Sequence, residues 1–201
     1  MGIFEKLVHR IAEQPVLFIF FRSVFENNFK MIRSVILREL RMEQGVRTLD
    51  LGCGPGTFSD LFAQEDYWGA DLNPRYIEYA RRVCRGNFLM CDARKVNLPD
   101  GQFDQVLIFA LLHHLPDSDT RQVLDEVKRL LAPGGRVLVI EDIPAVSRLN
   151  LVGHLLHKIE QGRFIRTVEE YRSLYQKAGR ILREETLRSG VCDYYLAVLT
   201  P

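Results

Sequence analysis

The sequence has 201 residues, of which 47% are hydrophobic and 26% are charged, a composition that fits a globular protein and argues against a disordered one. A chain of this length fits a single domain with a sizeable core. Its net charge of +1 produces no global field that would attract nucleic acid or an acidic membrane.

The first 44 residues predict a helical cap, because apolar residues recur there at helical spacing. They are Phe4, Leu7, Val8 and Ile11, then the run 16–21, then Ile32, Val35, Ile36 and Leu40. The run 16–21 is far shorter than the roughly 20 residues that a bilayer span needs, and no small-residue cleavage site follows it. We therefore expect neither a signal peptide nor stable membrane insertion, while peripheral membrane contact stays open.

From residue 46 onward, short apolar runs alternate with amphipathic stretches of helix length. Five runs predict strands that are buried on both faces: 46–51, 67–71, 87–91, 105–109 and 136–141. Among the helices, one begins at Asn73-Pro74, and another is capped by Asp117 or Ser118 and stopped by the Pro-Gly-Gly at 133–135. The alternation predicts a doubly wound, mostly parallel α/β sheet of the Rossmann-like type.

The end of the chain departs from this alternation. Thr167 and Glu170 have capping-box spacing and predict a helix through about Ala178. Two strand-like runs follow, 181–187 and 194–199, joined by a connection too short for a parallel crossover. The last strands should therefore pair antiparallel and complete a sheet of seven strands.

A glycine-rich loop, "LDLGCGPGTF", follows the first predicted strand, and we expect a helix to begin near Thr57. Backbone amides at that position would face the crevice where doubly wound sheets bind ligands. The glycine pattern is GxGxG (Gly52, Gly54, Gly56), not the GxGxxG of pyrophosphate-binding loops, and Asp50 precedes it. A carboxylate beside the loop repels phosphate and favours a cationic or amino-bearing ligand.

Two more acids follow neighbouring strands. Asp71, 21 positions after Asp50, lies where an acid hydrogen-bonds ribose hydroxyls. Asp92, followed by Ala93, can accept a hydrogen bond from the exocyclic amine of adenine. Phe109 would come to the same crevice at the end of the fourth strand. Together these residues predict a nucleoside site without a pyrophosphate.

In order and at matching spacing, the motifs "LDLGCGPGTF", "GADLNP", "CDA", "FDQVLIFALLHHL" and "LLAPGGRVLVIED" resemble the class I S-adenosylmethionine-dependent methyltransferases. Within that class the resemblance is to the small-molecule branch that includes ubiquinone/menaquinone-type enzymes. It covers about residues 46–142. It implies S-adenosyl-L-methionine as cofactor. Taking it together with the patterns outside it, we expect a single methyltransferase domain over 1–201, divided into a helical cap (1–44), a cofactor-binding core (45–143), a lid insertion (144–166) and a closing helix and hairpin (167–201).

The resemblance also implies roles for single residues. The methionine part of the cofactor would lie against Asp50, Gly52, Cys53, Gly54 and Gly56. Asp71 would hold the ribose, Leu72 would flank the adenine, and Asp92 with Ala93 would bind the adenine edge. Phe109 would lie beside the sulfonium.

His113-His114 follows the fourth strand, close to where the methyl group should lie. A histidine can remove a proton near neutral pH, and His114 is the candidate base. The alternative is that one histidine packs under the loop and the other is solvated.

The segments outside the shared core should set the methyl acceptor. An apolar stripe in the insertion (Leu149, Val152, Leu155, Leu156, Ile159) predicts a lid over a pocket for an apolar or lipid-like small molecule. Arg163 or Arg166 would meet an anionic group on that acceptor.

The four cysteines (Cys53, Cys84, Cys91, Cys192) lack metal-ligand spacing and indicate reduced thiols in a cytoplasmic protein without a metal site. Two alternatives remain for the function. A nicotinamide-dependent oxidoreductase would need GxGxxG, whereas a cofactor-binding partner or regulator without catalysis would keep the same motifs. A nucleic-acid methyltransferase is disfavoured, because no Asn/Asp-Pro-Pro-aromatic motif follows the fourth strand and no broad basic face is evident.

Overall fold

The structure, a computed structural model, describes residues 14–147, 150, 153 and 164–201. The helices in these ranges are α1 (Pro15–Phe25), α2 (Lys30–Glu39), α3 (Pro74–Val83), α4 (Asp117–Leu130) and α5 (Val168–Ala178). The strands are β1 (Thr48–Leu51), β2 (Tyr67–Asp71), β3 (Asn87–Met90), β4 (Phe103–Phe109), β5 (Leu131–Asp142), β6 (Arg180–Ser189) and β7 (Cys192–Thr200).

The seven strands form one sheet in the order β3-β2-β1-β4-β5-β7-β6. The first five strands are parallel. Strand β7 lies between β5 and β6 and runs antiparallel to both. This confirms the doubly wound, mostly parallel α/β sheet and its antiparallel closing strand.

Helices cover both faces of the sheet, and alternate residues of the central strands point to opposite faces. Ile108 of β4 packs in the cluster that includes α4 and α5, whereas its neighbour Leu107 packs in the cluster that includes α2. Helix α3 packs on the same face as α2, against Tyr67 of β2. The central strands are therefore buried on both sides, which explains their nearly continuous apolar sequence.

Two predicted helix starts are confirmed by their capping contacts. Asn73 accepts a hydrogen bond from the Arg75 amide at the start of α3, with Pro74 as the first helical residue. Thr167 and Glu170 form both halves of a capping box at the start of α5. These short-range signals depend only on neighbouring residues, so the sequence contains them completely.

Three local predictions are wrong. The glycine loop leads into a short 3₁₀ turn, Ser59–Leu61, and not into a helix beginning near Thr57. Helix α4 begins after Pro116 without a side-chain cap, so neither Asp117 nor Ser118 caps it. It ends at Leu130, and the Pro-Gly-Gly at 133–135 lies within β5.

The amino-terminal cap is held by the last hairpin of the chain. The Val191 amide donates to the Phe25 carbonyl (3.0 Å), and the Ser189 hydroxyl donates to the Glu26 carbonyl (3.1 Å). Gly190 lies between them at φ +57°, and a Cβ there would be 1.9 Å from the Phe25 oxygen. Only glycine fits this close approach of two backbones.

Residues 1–13 and most of the insertion lie outside the described residues. The predicted apolar positions Phe4 to Ile11, the lid stripe from Leu149 to Ile159, and Arg163 therefore stay predictions. No helix among the described residues has the length and apolar character needed to cross a membrane.

Candidate active site

The glycine loop after β1 is fixed against the end of β2. Gly52 donates its amide to the Ala70 carbonyl (2.8 Å), and Gly54 donates to Oδ2 of Asp71 (2.8 Å). Gly52, Gly54 and Gly56 all have positive φ, at +81°, +54° and +82°. A side chain is strained in this conformation, so the loop needs its three glycines. The bonds to β2 place the loop at the carboxyl ends of the parallel strands.

Asp50 is a buried carboxyl group at the base of this loop, 1% exposed. The Tyr67 hydroxyl donates to Oδ2 of Asp50 (2.7 Å). The pKa of Asp50 is raised to about 7, mainly by burial; the Tyr67 hydrogen bond lowers it and the nearby Asp71 adds to the rise. A cation bound beside Asp50 would stabilise its ionised form, so the site favours a positively charged ligand group.

Asp71 braces the loop and still has acceptor capacity. Its Oδ1 accepts from the Asn73 amide (2.8 Å) and its Oδ2 from the Gly54 amide. Burial raises the pKa of Asp71, while these backbone hydrogen bonds lower it. Each carboxylate oxygen can accept a second hydrogen bond, as a ribose hydroxyl requires. The adjacent Leu72 is 68% exposed, which leaves an apolar surface beside this acid.

Asp92 and Ala93 follow β3 at the same edge of the sheet, where the neighbouring Cys91 amide donates to the Asp71 carbonyl (3.0 Å). Arg94 binds both carboxylate oxygens of Asp92, at 3.0 and 2.6 Å. Hydrogen bonds from Arg94 lower the pKa of Asp92, which keeps it an ionised acceptor.

A cleft opens where the glycine loop faces the cap. Of the predicted site residues it is lined by Asp50, Gly52, Cys53, Gly54 and Phe109. Gly56, Asp71, Leu72, Asp92 and Ala93 lie outside its lining. The structure thus brings Phe109 together with the glycine loop, whereas the other predicted residues lie outside the cleft, at the ends of β2 and β3 and at Gly56.

The other wall of the cleft was missed by the sequence-based prediction. It includes Phe18 and Arg22 of α1, together with Phe29 and Phe58. The Phe109 ring lies edge-on to Phe58 (5.2 Å between centroids) and to Phe29 (6.3 Å). The helical spacing of the cap predicted its helices but gave no sign of which face would meet the glycine loop.

Backbone strain marks the end of β4 beside this wall. Ala110, which follows Phe109, has φ +52°, a left-handed conformation that costs a residue with a side chain on the order of 1 kcal/mol or more. Its amide donates to the Ile140 carbonyl (2.9 Å), which ties the end of β4 to the neighbouring strand β5. The chain therefore leaves the extended conformation directly after Phe109, and a 3₁₀ turn follows at Leu112–His114.

The two histidines differ in their surroundings. His113 is buried, and its Nδ1 lies 2.9 Å from Oε2 of Glu141, whereas His114 is exposed. The Glu141 carboxylate also accepts from the amides of Leu111 (2.9 Å) and Leu112 (2.7 Å). Neither imidazole lines the described cleft, so the geometry does not support His114 as the catalytic base.

Arg166 has a structural position and does not face the cleft. It is 5% exposed, and it donates to the carbonyls of Leu112 (3.0 Å), Leu115 (2.6 Å) and Phe164 (3.0 Å) and to Oδ1 of Asp117 (2.9 Å). Its donors are engaged within the chain, and the expectation that it meets an anionic acceptor group stays a prediction. It anchors the end of the insertion to the turn after β4.

Among the described residues, no group of three or more His, Cys, Asp or Glu side chains is arranged to hold a metal ion.

Comparisons with known proteins agree with this geometry. Residues 48–135 match the family model described as a methyltransferase domain. The methyltransferase GfsG of Streptomyces halstedii is 30% identical over 165 residues, 75% of this chain and 58% of that protein. A ubiquinone/menaquinone biosynthesis C-methyltransferase UbiE of Paraburkholderia phymatum is 29% identical over 119 residues, 54% of this chain and 48% of that protein. The chain thus spans about half the length of the curated relatives it matches.

Solved structures share the fold over most of the chain. The PH0226 protein of Pyrococcus horikoshii has a TM-score of 0.67 and 24% identity, covering 90% of this chain and 95% of that one. A SAM-dependent methyltransferase of Aquifex aeolicus has a TM-score of 0.65 and 19% identity, covering 89% and 93%. The matched domain, the relatives and the sheet order thus identify residues 48–135 as a methyltransferase domain of the class I, S-adenosylmethionine-dependent type.

Proposed function

We propose that this protein transfers a methyl group from S-adenosylmethionine to a small apolar acceptor. The observation that carries the proposal is the cleft between the glycine loop with Asp50 on one side and the aromatic wall of Phe18, Phe29 and Phe58 on the other. One side of the cleft suits the cofactor and the other suits an apolar molecule.

The residues of the strand ends fit the cofactor. Asp50, a buried carboxyl group beside the Tyr67 hydroxyl and the Asp71 carboxyl, suits the ammonium group. Asp71 suits the ribose hydroxyls, and Leu72 with Asp92 and Ala93 suits the adenine. The glycines Gly52, Gly54 and Gly56 let the loop backbone approach the methionine part closely, together with Cys53. Phe109 would lie beside the sulfonium.

When bound, the cofactor supplies a methyl group already activated by its sulfonium. The chain's own residues then need to orient the acceptor, hold it against this carbon and exclude water. The aromatic wall suits these tasks, since Phe58 is 3% exposed and packs edge-on against Phe109. We assign no general base to the described residues.

The acceptor is proposed to be small and apolar because aromatic side chains dominate the far wall. The name of one relative points the same way, since UbiE is named for ubiquinone/menaquinone biosynthesis. Helix α1 also exposes Val16, Phe20 and Val24, each near 60%. That outer face is compatible with an acceptor delivered from an apolar phase.

The test has two parts. Isothermal titration calorimetry should show binding of S-adenosylmethionine and not of NAD, and Asp71→Ala should weaken it at least about tenfold, because a charged hydrogen-bond acceptor is lost. The matched control is Asp125→Asn, an exposed acid on α4. NAD binding without S-adenosylmethionine binding would overturn the proposal.

The second part uses cofactor labelled in its methyl group and a cell extract separated into polar and organic-soluble fractions. Mass spectrometry should find a labelled product in the organic-soluble fraction. Cofactor binding without label in any fraction would favour a cofactor-binding protein that has lost catalysis.

A further inference from the structure

A charged side chain stands in the aromatic wall of the cleft. Arg22 of α1 lines the cleft, and its guanidinium carbon lies 5.6 Å from the centroid of the Phe109 ring. Its Nε lies 2.6 Å from Oε1 of Glu26, and its Nη2 donates to the Tyr194 hydroxyl (3.2 Å). Glu26 lies one turn further along the chain, Phe109 ends β4, and Tyr194 belongs to β7. Because the three contacts come from different elements, the guanidinium is fixed in place.

The partners of Arg22 are themselves rigid. Glu26 and Tyr194 are fully buried, whereas the Arg22 side chain retains 18% exposure. The Glu26 backbone is held by Ser189 from the last hairpin (3.1 Å). The helix therefore presents Arg22 to the cleft with little conformational freedom, an arrangement that lowers the entropic cost of binding a ligand.

The cofactor of this family carries a sulfonium, an ammonium and a carboxylate group, so it brings a net positive charge to the same cleft. Like charges repel more strongly in a poorly hydrated, aromatic-lined space than in water. Glu26 offsets the charge of Arg22 from behind the wall. A negative group on the acceptor, placed between the guanidinium and the sulfonium, would be attracted by both.

We propose that Arg22 is the specificity-determining residue for the acceptor and selects an apolar molecule that carries an anionic oxygen, such as a carboxylate, phenolate or enolate. This inference rests on the proposed function and deepens it. It gives to Arg22 the role that the sequence suggested for Arg163 or Arg166. Guanidinium groups suit this task because their planar donors match the geometry of oxyanions.

The experiment compares two fluorescent probes with the same aromatic skeleton. One is 1-anilinonaphthalene-8-sulfonate, an apolar anion, and the other is N-phenyl-1-naphthylamine, which lacks the sulfonate. Both are titrated into the full chain and into the variants Arg22→Gln, Glu26→Gln and Arg22→Gln/Glu26→Gln. The matched control is Arg38→Gln, a cap arginine paired with Glu39 and Glu185 outside the cleft lining.

We expect Arg22→Gln to weaken the anionic probe about tenfold and the neutral probe less than about twofold, since one charge-assisted contact is lost. Glu26→Gln should strengthen the anionic probe, because the guanidinium loses its offsetting charge. The double variant leaves neither Arg22 nor Glu26 as an unpaired charge, so it should fold. It should bind the anionic probe more weakly than the unmodified chain does, because it lacks the guanidinium. Arg38→Gln should change neither probe.

A purely structural Arg22 would give a different result. Both probes would then weaken together, and Glu26→Gln would weaken the anion instead of strengthening it. Either result, or no binding of the anionic probe to the unmodified chain, overturns the inference. Calorimetric binding of S-adenosylmethionine, measured on the same samples, reports separately on the proposed function.

Discussion

Asp50→Asn tests the electrostatics of the cleft, because it removes the ionisation of one buried carboxyl group and keeps a similar shape. The pKa of Asp50 is raised from 3.8 to about 7 in the folded chain, mainly by burial. Between these values the folded chain holds a proton that the unfolded chain has released. The free energy of unfolding contributed by Asp50 therefore falls as pH rises from about 4 to 7 and stays low above that.

The size of this effect follows from the shift. One pKa unit corresponds to about 1.4 kcal/mol, so a shift of about 3 units costs the folded chain roughly 4 kcal/mol once Asp50 is ionised. Part of this loss has already occurred at pH 5, because the unfolded carboxyl group is ionised there. Between pH 5 and pH 8 we expect a further loss of about 2.5 kcal/mol.

The assay is urea unfolding of the unmodified chain, Asp50→Asn and the control Asp125→Asn at pH 5, 6, 7 and 8. The difference in unfolding free energy between Asp50→Asn and the unmodified chain should grow with pH in favour of the variant, while Asp125→Asn follows the unmodified chain. Parallel pH profiles for Asp50→Asn and the unmodified chain would refute the reasoning.

Ligand binding gives a second readout of the same group. A cationic group beside Asp50 lowers its pKa, so binding of S-adenosylmethionine near pH 6 should release a proton. Its affinity should rise between pH 6 and pH 8 in the unmodified chain and lose that dependence in Asp50→Asn. Calorimetry in two buffers of different ionisation enthalpy measures the proton release.

Three further substitutions test the parts that hold the cleft together. Gly190→Ala adds a Cβ 1.9 Å from the Phe25 oxygen at positive φ, whereas in the control Gly45→Ala the positive φ is the same problem but nothing lies within 4 Å of the added Cβ. In urea unfolding we expect Gly190→Ala to lose more than about 2 kcal/mol and Gly45→Ala about 1 kcal/mol. Equal losses would argue against the clash. Glu141→Gln exchanges a carboxylate that accepts several hydrogen bonds for an amide with one acceptor, and should cost about 2–4 kcal/mol in urea; a change below 1 kcal/mol would contradict its buried role. Arg166→Gln should lower the free energy of unfolding by about 2–4 kcal/mol, because several buried hydrogen bonds are lost. The calorimetric affinity for S-adenosylmethionine should stay within about twofold. Unchanged stability would instead favour Arg166 as a ligand-binding residue.

The sheet was predictable because its signals are repeated and local. Strand β2 occupies the predicted residues 67–71, and the apolar runs of the parallel strands reflect burial on both faces. The antiparallel pairing of β6 and β7 followed from the shortness of their connection. The helix expected near Thr57 failed because the positive φ angles of the glycine loop lead into a 3₁₀ turn.

The aromatic wall of the cleft could not be predicted, since the residues that contact one another there are distant in sequence. Arg22 resembles an ordinary helix-surface charge until Tyr194, 172 positions later, is seen beside it. The run 16–21 is apolar on every side, so it does not reveal that Phe18 lines the cleft. The structural position of Arg166 could not be predicted either, because nothing near it in the sequence shows that it donates to the carbonyls of Leu112 and Leu115.

The contact between Gly190 and Phe25 has a consequence for the order in which the molecule is built. Helix α1 is synthesised early, yet the backbone that holds its end lies more than 160 positions later, as the Ser189–Glu26 separation of 163 shows. The parallel strands β1 to β5 can pair before that hairpin exists, but the wall that carries Phe18 and Arg22 is then without its anchor. Closing such a long loop is entropically costly and comes late in folding. A nascent chain can therefore form the strand ends that carry the glycine loop while the wall with Phe18 and Arg22 still lacks its anchor in the β6–β7 hairpin.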